Sequence, residues 1–435
     1  MQIKKKRKGL RTMTNKTNNM RLFHGDCLEV LRTLPDNSVD SCVTDPPYGL
    51  SREPDIREVL TKWLAGEPYD HVHGGFMGKA WDSFVPHPDI WREVYRVLKP
   101  GGHALVFAGT RTQDLMTISL RLAGFEVRDV IEWLYFSGFP KSLDVSKAFD
   151  RRAGAEREVI GFDEKSKGIR SGAGNYVGDT WEHRGHEITA PATELARKWD
   201  GWGTALKPAH EPIIVVRKPL EGTVAENVEK YGTGALNIDG CRIAFDGDKP
   251  KETTNQNIRN NAYKSDNSER ERDTLYVPSE KGRFPANCVT TEPDAFFSKY
   301  FNVTPPELCK KASKRDRNSD WRGEEIALEE KRAGGMQATV DGSMLTGSGN
   351  ERKTVYRNTH PTVKPTDLMS WLVRLVTQPE GTVLDPFSGS GSTLVAARRE
   401  GFGFIGCEIT DEYIPIIEAR AGVKAEVVAD DSEVT

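Results

Sequence analysis

No stretch of this 435-residue chain approaches the roughly 18 consecutive apolar residues that a membrane-spanning helix needs. No membrane partner is therefore expected. Cysteine is sparse as well. The six present (Cys27, Cys42, Cys241, Cys288, Cys309 and Cys407) include no C-x-x-C pair and no regular spacing. That excludes a disulfide framework and a zinc-ribbon pattern, and it leaves reduced thiols in a cytoplasmic protein. His71 and His73 have no clustered cysteine or carboxylate beside them, so no metal is expected either. The N-terminus has a basic run but no apolar segment behind it, which argues against secretion. A dominant sign of charge is missing too: the net charge is −3. Nothing global advertises a nucleic-acid partner, although a local basic face would suffice for one. Hydrophobic residues make up 37% of the chain and the mean hydropathy is −0.57, low for one compact globule of this length. Two or three domains with polar insertions are expected.

What is present is organised around Thr44-Asp45-Pro46-Pro47-Tyr48-Gly49. The string follows Val39-Asp40-Ser41-Cys42-Val43, which reads as a short strand with partial in/out alternation. Pro46 and Pro47 have no N–H and a locked φ, so neither helix nor ladder continues through them. The product is a stiff turn that presents a carboxylate, free carbonyls and an aromatic ring at a strand end, where open α/β sheets bind ligands. Asp-Pro alone is ordinary loop punctuation. A second motif gives the string its weight.

That motif runs Thr382-Val383-Leu384-Asp385-Pro386-Phe387-Ser388-Gly389-Ser390-Gly391-Ser392-Thr393 and reads as strand, glycine-rich turn and helix. Gly389 and Gly391 allow the backbone to approach a ligand, and the helix N-terminus offers unpaired N–H groups. Leu394 stands where a dinucleotide fingerprint needs its third glycine, which argues against NAD and FAD. Glu408 ends the next strand, Phe404-Ile405-Gly406-Cys407, 23 residues after Asp385. Ribose-binding carboxylates stand at an offset of about 20 residues in such sites.

Together the motifs resemble the S-adenosylmethionine-dependent amino-methyltransferases that act on DNA, in the permuted (β-type) order with Asp-Pro-Pro-Tyr ahead of Phe-x-Gly-x-Gly. Matching stretches cover 21–150, a short piece near 207–220, and 357–422. The resemblance implies an α/β fold with a doubly wound, mostly parallel, Rossmann-like sheet, circularly permuted and carrying large irregular insertions. It implies S-adenosyl-L-methionine as cofactor and double-stranded DNA as partner. The catalytic residues carried over are Asp45, Pro46, Pro47 and Tyr48. Cofactor contacts carried over are Asp26, Cys27, Lys364, Asp385, Phe387, Ser388, Gly389, Gly391 and Glu408, with Lys364 at the methionine carboxylate. Asp26 also reads as the N-cap of a helix over 27–34.

The chemistry accounts for these residue types. An exocyclic base amine is a poor nucleophile because its lone pair is delocalised into the ring. Asp45 accepting one N–H and the Pro46 carbonyl accepting the other favour a pyramidal nitrogen, while Tyr48 stacks on the extruded base. Aspartate at the head of the motif goes mainly with adenine in the resembled family and serine mainly with cytosine. Adenine N6 is therefore expected, with cytosine N4 as the alternative. An RNA or protein amine, a non-catalytic DNA-binding role and a nicotinamide-dependent reductase are the remaining rivals. A homodimer and a restriction partner stay open.

The chain then divides into a basic tail (1–20), the catalytic half (21–150), an insertion (151–206), a strand returning to the sheet (207–220), a target-recognition region (221–356), the cofactor-binding half (357–422) and an acidic tail (423–435). Within these, 49–83 reads as a polar loop that covers the base as a lid. Residues 90–98 and 112–123 read as helices, and 103–108, 126–134 and 211–217 as strands. The segment 133–141 is aromatic, with Tyr135 where family members often have lysine. The region 221–356 reads as irregular, with short strands at 235–238, 242–245 and 287–290. After His360-Pro361-Thr362-Val363-Lys364-Pro365 an amphipathic helix is expected.

Overall fold

In this computed structural model the described residues are 20–50, 52–71, 82–135, 142–163, 186–243, 253–254, 275–276, 279–290, 302–303, 312, 314–318, 320–321 and 358–427. Their strands are β1 (Met20–His24), β2 (Val39–Thr44), β3 (Leu98–Phe107), β4 (Glu126–Leu134), β5 (Val159–Asp163), β6 (His186–Thr189), β7 (His210–Arg217), β8 (Thr253–Thr254), β9 (Leu275–Tyr276), β10 (Cys288–Thr290), β11 (Asn302–Val303), β12 (Thr382–Asp385), β13 (Gly403–Glu408) and β14 (Ala425–Val427). The helices are α1 (Cys27–Thr33), α2 (Ile56–Ala65), α3 (Pro88–Val97), α4 (Gln113–Leu122), α5 (Val145–Ala153), α6 (Glu194–Lys198), α7 (Val224–Tyr231), α8 (Lys314–Arg317), α9 (Thr366–Val376), α10 (Ser392–Glu400) and α11 (Ile414–Ala421). None is long and apolar enough to cross a membrane.

Ten strands form one sheet in the order β11-β10-β4-β7-β3-β2-β12-β13-β1-β14. Every neighbouring pair in it is parallel except those of β7, which runs antiparallel to both β3 and β4. The central strands are apolar on both sides, as buried parallel strands must be. Cys42, Ala104 and Val106 point into one core with Val30, Trp91 and Leu120. Val43, Leu105 and Phe107 point into the other with Leu372, Leu394 and Ile417. Helices thus cover both faces, and the doubly wound Rossmann-like fold is present. Its permutation is visible at β1, which pairs with β13 and β14 from the far end of the chain. Between β2 and β12 the order reverses: β2 leads outward to β3, β12 outward to β13. Ligands bind at such a switch point, beyond the carboxyl ends of the strands.

The chain separates into two compact units, one of 1–136, 210–326 and 357–435 that contains the sheet, the other of 137–209 and 327–356. In the second, β5 pairs antiparallel with β6. There the buried Asp150 accepts from the Ala192 and Thr193 amides, the Thr193 hydroxyl and Arg157.

Three local expectations differ from the structure. The stretch 49–83 is not all loop, because α2 lies within it, capped by Asp55 and closed by Gly66, with Val59 and Trp63 buried. Its apolar residues at helical spacing outweigh the polar residues around them. The irregular region 221–356 contains α7, begun by a capping box of Thr223 and Glu226. Residues 235–238 form no strand; the Asn237 amide donates to the Leu375 carbonyl and a short 3-10 turn follows at Asp239–Cys241. The Asn237 amide is thus taken by the end of α9 and not by a ladder. The glycine-rich part of the expected lid (72–81) and most of the aromatic segment (136–141) lie outside the described residues.

Candidate active site

Strand β2 ends at Thr44, and the prolines then turn the chain across the end of the sheet. The turn is fixed from outside itself. Asp82 Oδ1 accepts from the Tyr48 amide at 2.7 Å and the Gly49 amide at 3.3 Å, and the Thr112 hydroxyl donates to the Tyr48 carbonyl at 2.5 Å. The Asp45 carboxylate, with 20% of its side chain exposed, is thereby held over the cleft rather than in solvent. Its Oδ1 accepts from the Tyr48 hydroxyl at 2.8 Å, and its Oδ2 from Lys364 Nζ at 2.5 Å.

A second carboxylate stands beside it. Glu211, near the start of β7, has Oε2 at 3.2 Å from the Tyr48 hydroxyl and 3.4 Å from Lys364 Nζ. The Tyr135 hydroxyl donates to Glu211 as well. Lys364 Nζ also lies 5.0 Å from the Phe107 ring centroid and 5.3 Å from that of Tyr48. Burial pushes the Asp45 carboxyl above its ordinary range; Lys364 opposes the rise and the Glu211 charge adds to it. Burial alone would lower the Lys364 ammonium, but Asp45 and Glu211 outweigh it and hold the group protonated.

The glycine-rich turn lies next door. The Thr44 hydroxyl donates to Asp385 Oδ1 at 2.7 Å, which ties the two motifs together across 341 residues of sequence. Asp385 is 2% exposed, and burial raises its pKa to about 6 against hydrogen bonds from Thr44, Thr393 and the Phe387 amide. Gly389 has φ +53°, and a Cβ there would sit 2.9 Å from Nε2 of His360. Gly391 has φ +76°, with Ile417 equally close. Neither position has room for a side chain, so bare backbone lines the turn. Glu408 Oε2 accepts from the Gly389 amide at 2.7 Å and Oε1 from the Thr410 amide at 2.8 Å. The Gly25 amide donates to the Glu408 carbonyl, which brings the Asp26 turn to the same edge, where Asp26 caps α1. Cys27 is buried behind it, its thiol pushed up to about 12 by burial. Phe387 packs at 6.1 Å from the Trp91 ring, and the Ser388 hydroxyl donates to the Asp385 carbonyl. A cradle of bare backbone with an acidic side chain at a neighbouring strand end fits a nucleoside-bearing cofactor.

The residues singled out in the sequence therefore form two adjoining groups. Asp45, Pro46, Pro47 and Tyr48 make one; Asp26, Cys27, Asp385, Phe387, Ser388, Gly389, Gly391 and Glu408 make the other. Lys364 lies with the first group, its ammonium on Asp45 and Glu211. Sequence reasoning missed Glu211, Asp82 and Thr112. The one signal for Glu211 was a charged residue heading an otherwise apolar strand. Asp82 and Thr112 gave none, since both act through backbone contacts set by the fold. Among the described residues no group of His, Cys, Asp and Glu is arranged to hold a metal ion.

Known proteins are similar to this chain in sequence. The DNA methylase family model for N6 and N4 enzymes matches residues 39–419. The type II methyltransferase M.HindIII of Haemophilus influenzae is 22% identical over 423 residues, spanning 93% of this chain and 95% of its own length. The type II methyltransferase M1.MboII of Moraxella bovis is 45% identical over 62 residues, but these are 14% of this chain and 24% of that protein. Among solved structures, the M1.HpyAVI–SAM complex aligns over 92% of this chain and 99% of its own, at 14% identity and a TM-score of 0.36.

Proposed function

The chain belongs to the N6/N4 DNA methylase family, and from that premise we propose that it transfers a methyl group from S-adenosyl-L-methionine to adenine N6 of a base extruded from duplex DNA. The observation that carries the reading is the pair of turns joined by Thr44 and Asp385, one bearing an acceptor carboxylate and the other a bare-backbone cradle. Methyl transfer needs donor and acceptor side by side, and adjacent parallel strand ends supply that proximity.

When bound, the cofactor supplies an electrophilic methyl group on a sulfonium. The protein residues do the rest. Asp45 accepts one hydrogen of the target amine and the Pro46 carbonyl the other, which localises the nitrogen lone pair and aims it away from the ring plane. Burial strengthens the Asp45 hydrogen bond, since little water competes for it. Asp82 and Thr112 hold the backbone of the turn, so the acceptors are in place before the base arrives. Tyr48 offers its ring to the extruded base. On the cofactor side, Glu408 would hold the ribose hydroxyls, Phe387 would pack beside the ligand, and Gly389 and Gly391 would let the backbone close around it. Lys364 stays charged in the site and opposes the burial that raises the Asp45 carboxyl.

Adenine N6 is preferred because Asp45 heads the motif, and aspartate at that position goes mainly with adenine in the resembled family. Cytosine N4 presents the same amine chemistry and is the second reading. Duplex DNA incubated with the protein and isotope-labelled S-adenosylmethionine, digested to nucleosides and separated by mass spectrometry, should yield labelled N6-methyladenine. N4-methylcytosine as sole product overturns the base assignment; label in neither overturns the function.

A further inference from the structure

Asp45 cannot serve the target amine freely while its present partners stay where they are. One oxygen is taken by the Tyr48 hydroxyl at 2.8 Å and the other by Lys364 Nζ at 2.5 Å. Charge-assisted donors this close draw off the electron density that the amine hydrogen needs. Both donors, however, already fork towards the same second acceptor. The Tyr48 hydroxyl is 3.2 Å from Glu211 Oε2, and Lys364 Nζ is 3.4 Å from that same atom. The two groups that occupy Asp45 are thus the two groups that Glu211 can take over, each by a displacement of about an ångström or less.

We propose that Glu211 is a positioning residue for methyl transfer: it receives Lys364 and Tyr48 when the target amine claims Asp45. The inference rests on Asp45 being the acceptor of the amine hydrogen. Glu211 suits the task in three ways. It lies near the start of β7, in register with Trp133 of β4, and the neighbouring Pro212 carbonyl accepts from the Ala108 amide, so its backbone is held in the sheet. The Tyr135 hydroxyl steadies its carboxylate. Its charge matters most. An ammonium leaving Asp45 without a second anion would be a buried, unpaired cation, which is strongly unfavourable. Glu211 keeps Lys364 paired throughout, and Lys364 need only rock between two carboxylates over the faces of Phe107 and Tyr48.

The test is a set of variants measured by single-turnover methyl transfer to duplex DNA from the preformed cofactor complex, with S-adenosylmethionine affinity read in parallel by calorimetry. Glu211→Gln keeps shape and hydrogen bonding but removes the charge. It should slow transfer by about tenfold or more while cofactor affinity stays within about twofold, and Glu211→Asp should recover part of the rate. A structural role would not predict the next result. In a Lys364→Met background, where no ammonium must be handed over, Glu211→Gln should cost less than about threefold. A Glu211→Gln rate equal to wild type overturns the proposal, and so does the same fold-loss with and without Lys364. If the wild-type protein moves no methyl group to DNA, the underlying assignment of Asp45 fails, and this inference with it.

Discussion

Asp385 shows what one residue contributes when it is buried for function. Its carboxyl, at about 6, lies above the ordinary value of 3.8 because burial disfavours the charge more than Thr44, Thr393 and the Phe387 amide favour it. The unfolded chain loses this proton near pH 4, whereas the native protein keeps it to about pH 6. Native stability from this group is therefore full below the unfolded value and falls as pH rises through the window between the two. The loss at neutral pH is on the order of 3 kcal/mol. Thermal melts of the cofactor-free protein should show Asp385→Asn gaining on wild type between pH 5 and pH 7.5, as its amide can still accept from Thr44. A difference that does not change with pH contradicts this. Asp385 was legible in the sequence because it ends a strand ahead of two glycines. Glu211 was not, since nothing in Glu211-Pro212-Ile213-Ile214 tells that β7 returns antiparallel between β3 and β4 and sets the side chain beside Asp45. Local pattern fixes what a residue is near in sequence, and only the sheet order fixes what it meets across the cleft.

At the level of elements, the glycine turn is braced from below by Arg420 of α11, a fully buried guanidinium. It donates to the Ser390 carbonyl at 2.6 Å, to the Ser390 and Ser392 hydroxyls, and to Thr366 at the start of α9. Burial lowers its pKa to about 10, so it remains charged at neutral pH. Arg420→Met keeps apolar bulk but leaves the Ser390 carbonyl without this donor. It should cost about 2 kcal/mol in denaturant unfolding and weaken S-adenosylmethionine binding by about tenfold, because the turn loses its support. Weakened stability with unchanged cofactor affinity would make Arg420 a brace for the helices alone. Helices with a clean apolar face, such as α3 and α9, were readable at once. Helices α2 and α7 hid in polar stretches, and their signals were caps: Asp55 with Gly66, and Thr223 with Glu226. A cap is a single residue, whereas a face is a repeated pattern, so the face is the stronger signal.

Across the whole molecule, two distant parts of one chain build one site, and the polar stretches between them are free to do other work. The region 221–356 was expected to read DNA sequence. Part of it belongs to the body of the fold: Val289 of β10 is buried, Arg317 donates to the His360 carbonyl, and Asp320 pairs with Arg398 and Arg399. A fair test of recognition spares these. Replacing 255–274 and 322–350 with short linkers should leave cofactor affinity unchanged and abolish preference for one DNA site; a shortened protein that still marks the wild-type site would move recognition elsewhere, the insertion 151–206 being next. The doubly wound sheet was legible because β-α-β alternation has few solutions. The strand order that joins 44 to 385 could be inferred only through the resemblance of the two motifs, since each is local and the 340 residues between them carry no mark of their meeting.

The central claim is that the Asp45 carboxylate acts on the acceptor amine and not on the cofactor. Single-turnover methyl transfer to duplex DNA, compared between wild type and Asp45→Ala with the cofactor complex preformed, tests it most directly. The account predicts a rate lowered by at least about a hundredfold, with S-adenosylmethionine affinity within a few-fold of wild type. An Asp45→Ala protein that methylates DNA at the wild-type rate would contradict it.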